Sequence, residues 1–204
     1  MLTYPGLPGP LICDFLSREK SRETYAKGTE FQIGKIEMVG NTGTYVDSPF
    51  HRFTDGKDLS ELPLESLANL DCVVVDATVR PGRAIDPSYF GRLDLAGKAV
   101  LVRTGWDTHW RTDQYFSGHP FVSAESATFL KEAGVVFVGI DSLNIDCTDD
   151  GNRPVHTTLL GAGIPIGEHL CNLGQLPSSG FRFFAVPPKV AKFGTFPVRA
   201  FASV

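Results

Sequence analysis

Residues 40–51 read Gly-Asn-Thr-Gly-Thr-Tyr-Val-Asp-Ser-Pro-Phe-His, so Asn41, Tyr45, Asp47 and His51 follow one another at intervals of four, two and four residues. A carboxylate and an imidazole on one stiff turn are the donor types that hold a hard or borderline metal ion with a base beside it. Gly43 permits a backbone turn, and Pro49 stiffens the chain just before His51. Taken alone the signal is weak. Asp47 ahead of Ser48-Pro49 equally suits an Asx turn, and His51 could cap that turn.

Two later residues extend the set. Glu168 follows the apolar stretch Ile164-Pro-Ile-Gly, where an unpaired carboxylate is costly, so a cation or a strong donor is expected beside it. His156 follows Pro154-Val155 in a polar region and reads equally as a ligand or as a surface histidine. His169 adjoins Glu168 but points to the other side if the segment is extended. His109 and His119 flank Trp110 and Tyr115 and read as surface or substrate-gate residues, and both tryptophans as packing. Asp141 and Asp146 end or follow a strand and could support a site from behind.

The elements that must position these residues are short. Residues 72–76, Ala99–Arg103 and 135–140 are β-branched apolar runs, read as buried strands. Residues 31–39 form a further strand, and 181–186 and 196–201 two aromatic-rich ones. Ser123 caps a helix that runs to Ala133 and stops at Gly134. Asp86-Pro87 opens a short helix through Arg92, and Pro63 another through Asn69. Residues 155–160 are ambiguous between helical turn and loop. The expected fold class is α/β or α+β with a mixed sheet and short flanking helices. Residues 1–204 form a single domain, opened by a Pro/Gly-rich irregular arm over 1–30.

Composition narrows the partners. The 204 residues carry a formal charge of −4, 42% apolar and 21% charged residues, with no Lys/Arg cluster. That argues for a globular domain and a small-molecule partner, and against a nucleic-acid binder. The start of the chain has neither a basic region nor an apolar core of the leader type, and no apolar run is long enough to span a bilayer. The four cysteines are widely spaced, and Cys72 and Cys171 read as small buried hydrophobes, which suits a reducing, cytoplasmic setting.

The 40–51 segment resembles the signature of the cyclase family, which includes kynurenine formamidase and isatin hydrolase: His-x-Gly-Thr-His-x-Asp-x-Pro-x-His. Gly43, Thr44, Asp47, Pro49 and His51 keep its register, whereas Asn41 and Tyr45 stand where the signature has its first two histidines. Tyr4-Pro5-Gly6, residues 101–106, residues 138–141 and the pair 156–160 and 164–173 resemble further family blocks in the same order.

The resemblance implies a swivelling β/β/α domain, assembled as a homodimer or homotetramer, that hydrolyses linear or cyclic amides. It implies Asp47, His156 and Glu168 as ligands of one divalent ion, Zn or Mn, with the other site of the family's pair lost. His51 is then the acid/base for the ion's water, Tyr45 a donor to the developing oxyanion, and Tyr4 and Asn41 substrate-facing. The loss is physical: a carboxamide is a poor imidazole substitute, and a phenol with a pKa near 10 ligates well only once ionised. Two other readings stand beside it. One is a metal-free cyclase or dehydratase using His51 and Tyr45; the other is a pseudo-enzyme that binds a small molecule without turnover.

Overall fold

Four parallel strands form the centre of the molecule because their apolar side chains are buried on both faces. The computed structural model describes residues 4–204. In chain order its regular elements are β1 (Leu11–Leu16), α1 (Arg18–Thr24), β2 (Ile33–Glu37), β3 (Tyr45–Asp47), β4 (Leu70–Asp76), β5 (Ala84–Ile85) and β6 (Ala99–Arg103). Then follow β7 (Phe121–Val122), α2 (Ala124–Glu132), β8 (Phe137–Ile140), α3 (Pro154–Gly161), β9 (Ile166–Glu168), β10 (Ser179–Phe184), β11 (Thr195–Pro197) and β12 (Phe201–Ser203). Single 3₁₀ turns connect several of them. The segments begun by Pro63 and by Asp86-Pro87 are such turns, over Leu64–Ser66 and Pro87–Tyr89, rather than longer helices.

Eight strands make one mixed sheet in the order β11-β3-β9-β8-β6-β4-β10-β12. The middle four pair in parallel; β3, β11, β10 and β12 add antiparallel edges. Val100, Val102, Val138 and Ile140 face one core with Val155 and Leu159 of α3 and Leu130 of α2. Ala99, Leu101 and Phe137 face a second core with Val46, Phe181 and Phe183. Period-two alternation between two buried faces explains why these strands read as unbroken apolar runs.

The sheet must curl. Its outermost strands, β11 and β12, are separated only by residues 198–200. A flat eight-stranded sheet would hold them ~34 Å apart, at about 4.8 Å per strand. The link from residue 197 to 201 reaches ~14 Å at most. The single strand expected over 196–201 is therefore two, one on each edge, because each half finds a different partner.

The N-terminal arm departs from the expected irregularity. Its residues 11–16 pair antiparallel with β2, and Ser17 caps α1 by accepting from the Lys20 backbone N–H. Pairing with a strand beyond residue 30 is a long-range event that turn-rich composition does not report. Ser123 does cap α2, accepting from the Ser126 N–H, and Gly134 takes φ +73° just beyond its end. Among the described residues no helix is long and apolar enough to cross a membrane.

Candidate active site

The site lies where β3, β9, β11 and α3 meet. Tyr45 lies directly opposite Glu168 on β9, and Asp47 directly opposite both Ile166 on β9 and Thr195 on β11. Residues two apart on β3 share a face, so this register brings Tyr45, Asp47, Glu168 and Thr195 to one side of the sheet. His156 comes down onto that side from α3. The helix is set by Asp146 in the preceding loop, whose carboxylate accepts from the backbone N–H groups of Val155 (2.7 Å) and His156 (3.0 Å). The same carboxylate contacts His156 Nδ1 at 2.6 Å.

That arrangement aims His156 Nε2 inward, 3.5 Å from Asp47 Oδ2 and 3.7 Å from Glu168 Oε1. Asp47, His156 and Glu168 are all buried. Among the described residues Asp47 Oδ2 has no hydrogen-bond partner, which for a buried carboxylate oxygen is costly. Among the described residues, one group of three offers ligand atoms all within 4.8 Å of one another: Asp47, His51 and His156, a set that includes His51 and not the expected Glu168. A carboxylate oxygen without a donor beside an imidazole whose far nitrogen is held by a carboxylate is the donor chemistry of a divalent cation site. Asp47, His51 and His156 fit a divalent ion.

Electrostatics sharpen the picture. Burial opposes ionisation of Asp47, but contact with His156, the fields of His51 and His156 and the Thr195 hydroxyl outweigh it and hold its pKa below the ordinary value. Burial also disfavours charge on His156, yet its bond to Asp146, its close approach to Asp47 and the field of Glu168 push its pKa up to about 9. Glu168 moves the other way from Asp47: burial, with the Asp47 charge behind it, raises it despite the donors around it.

Those donors occupy Glu168 almost fully. Oε1 accepts from the Ile145 N–H at 2.7 Å; Oε2 accepts from the Tyr45 hydroxyl at 2.5 Å and the Asn144 amide at 3.2 Å. The single proton of Tyr45 is thus committed to Glu168. Burial, reinforced by Glu168, Tyr4 and Asp47, raises the Tyr45 pKa well above that of a free phenol. Tyr45 is therefore neutral, with its one proton directed at Glu168. Tyr4 OH lies 3.0 Å from Tyr45 OH and donates to the Leu143 carbonyl at 2.8 Å.

Tyr4, Asn41, Tyr45, His51, Arg153 and Glu168 are among the residues lining a cavity of about 210 Å³. A second cleft, about 520 Å³, shares Asn41 and His51 and adds Met38, Phe50 and Phe193. The two meet at His51. Asn144 and Leu7 complete the first lining, and Lys192 and Thr195 join the second, so both are mixed in character.

Residues 10–147 match the family model named Cyclase. A kynurenine formamidase of Bacillus cytotoxicus is 30% identical over 177 residues, spanning 82% of this chain and 78% of that protein. One from Salinibacter ruber is 30% identical over 169 residues, with the same shares covered. The chain belongs to the Cyclase family. Isatin hydrolase A from Labrenzia aggregata superposes with a TM-score of 0.81 over 99% of this chain and 87% of its own, and at 23% identity the likeness is one of fold. A solved structure described as a potential metal-dependent hydrolase with cyclase activity is 26% identical, with a TM-score of 0.67 over 94% of this chain and 96% of its own.

Asp146, which the sequence allowed as a support from behind, contacts His156 in this Cyclase-family chain. Thr195, which touches Asp47 and His51, belongs to no local motif and was not legible in the sequence. Arg153, left-handed at φ +51°, lays its guanidinium 3.3 and 3.4 Å from the two nitrogens of His156. His156 is no surface histidine. His169, also left-handed at φ +55°, does not point away: it packs edge-on against Tyr4 and Tyr45, and Tyr115 OH lies 2.8 Å from its Nδ1. A strand-alternation argument fails at a residue that has left the strand. His119 is buried, with Nε2 3.0 Å from the Asp146 carbonyl, while Cys171 is exposed.

Proposed function

We propose that this chain hydrolyses linear or cyclic amides of small molecules, N-formyl aryl amides among them, at one divalent ion, Zn or Mn, held by Asp47, His156 and Glu168. The observation that carries the reading is Asp47 Oδ2, buried without a donor and 3.5 Å from His156 Nε2, with His51 beside it. Relatives at 30% identity named kynurenine formamidase support the reaction class.

Bound there, the ion supplies Lewis-acid activation of water and of the amide carbonyl. The chain's residues do the rest. Asp146 holds His156 so that Nε2 points at Asp47. His51 takes the proton of the attacking water and returns it to the leaving nitrogen. Asn41 and Tyr4 face the acyl group from the cavity wall, and Phe50 and Phe193 shelter an apolar leaving group in the adjoining cleft. A metal-free acid/base pair of His51 and Tyr45 is disfavoured, because the Tyr45 proton is held by Glu168.

A second copy of the chain is proposed to cover the two-stranded β1–β2 sheet. Ile12, Phe15 and Ile36 are more than half exposed there, a density of apolar surface that monomers seldom leave bare.

The test is formate release from an N-formyl arylamine, and ring opening of a cyclic amide, by protein reconstituted with Zn or Mn. Turnover should require the ion and fall by about 100-fold or more in His51→Gln. Absence of turnover on both amide classes, by protein shown to hold an ion, refutes the proposal.

A further inference from the structure

We propose that Thr195 is a positioning residue that fixes His51 as the Nδ1–H tautomer, leaving the Nε2 lone pair free to accept a proton in the cavity. Thr195 Oγ1 makes two contacts, a very short one with Asp47 Oδ1 and one of 2.8 Å with His51 Nδ1. A hydroxyl has one proton to give. An ionised carboxylate only accepts, so that proton goes to Asp47, and the Thr195 oxygen must accept from His51. His51 Nδ1 therefore carries hydrogen. A neutral imidazole then has its lone pair on Nε2, the nitrogen away from Thr195, on a ring that lines both clefts.

The backbone is built for this contact. Thr195 on β11 is the direct cross-strand partner of Asp47 on β3, which places hydroxyl against carboxylate. Gly194 accepts from the Ser48 N–H at 2.7 Å and lies against the His51 backbone so closely that a Cβ there would meet His51 N and Cα at 2.6 Å. Only a residue without a side chain lets β11 come near enough for Thr195 to reach both partners. Asp47 thus has two tasks divided between its oxygens: Oδ1 receives the Thr195 proton, and Oδ2 faces His156. Breaking the relay leaves the Oδ2 side in place while releasing the His51 ring.

The kinetic arm of the inference rests on the hydrolase reading; the tautomer does not. The experiment uses full-length protein with ¹⁵N-labelled histidine, the His51 signals assigned by their loss in His51→Gln. Wild type should show a protonated Nδ1 and an unprotonated Nε2 in neutral His51. Thr195→Val, which keeps the shape without the hydroxyl, should shift His51 toward the Nε2–H form usual in water. Thr195→Ser should restore the wild-type pattern. Thr195→Val should also lower kcat on an N-formyl arylamine by about 10- to 100-fold with KM within about twofold, part of the 10²–10⁴ that a general base contributes. An unchanged His51 spectrum in Thr195→Val overturns the inference, as does a Thr195→Ser protein whose spectrum matches Thr195→Val. A shifted tautomer in a protein without amide turnover upholds it and removes the hydrolase reading instead.

Discussion

Replacing Asp146 with Asn tests whether the loop before α3 holds the centre together. The carboxylate is buried and accepts three hydrogen bonds: from Val155 N–H at Oδ1, and from His156 N–H and Nδ1–H at Oδ2. Asparagine has one acceptor oxygen. If that oxygen stays with His156, the amide NH₂ faces the Val155 N–H, donor against donor. An orphaned buried N–H costs about 1–3 kcal/mol. The two bonds retained by His156 lose their charge assistance, worth about 1 kcal/mol together once solvent relaxation is allowed for. The sum is about 3 kcal/mol, or ~6–12 °C in Tm for a domain of this size. Because Asp146 orients His156 rather than an ion, ion affinity should fall by about 10- to 100-fold as well. Urea unfolding with m held constant, with and without Zn or Mn, measures both effects. A stability loss below about 1 kcal/mol, or a loss with unchanged ion affinity, refutes this account.

Two further outcomes are expected. Burial pulls the pKa of His169 down to about 3, so the unfolded chain takes up the proton first on acidification. The stability this neutral ring contributes is complete above pH ~6.5 and is lost by up to about 1.4 kcal/mol per pH unit on the way to pH 3. In His169→Gln the slope of the urea midpoint against pH between 6 and 4 should flatten, and an unchanged slope contradicts the assignment. Second, the double change Asn41→His, Tyr45→His removes the hydroxyl from Glu168 Oε2 and adds two imidazoles beside it. Ion content on elemental analysis should rise from about one to about two per chain, and content that stays at one shows that Tyr45 was not what excludes the second ion.

Strands β4, β6 and β8 and helix α2 were legible in the residues alone, because each depends on local pattern: period-two burial, or a Ser cap with a Gly stop. The fourth central strand, β9, was not, and Tyr45 and Asp47, read on a stiff turn, lie on strand β3. The sequence also held the difference from the family signature at Asn41 and Tyr45. What those residues touch depends on the tertiary structure. Tyr45 donates to Glu168 because the β3–β9 register sets the two opposite each other. Asp146 and Thr195 entered the site from a loop and an edge strand lying 99 and 148 residues beyond Asp47. The division of residues 196–201 between two sheet edges, the pairing of the N-terminal arm and the inward turn of His169 all follow from contacts between distant segments. Spacing along a chain specifies which groups share a turn or a strand face; which of them meet across strands depends on register and curl, and those are fixed only when the whole sheet closes.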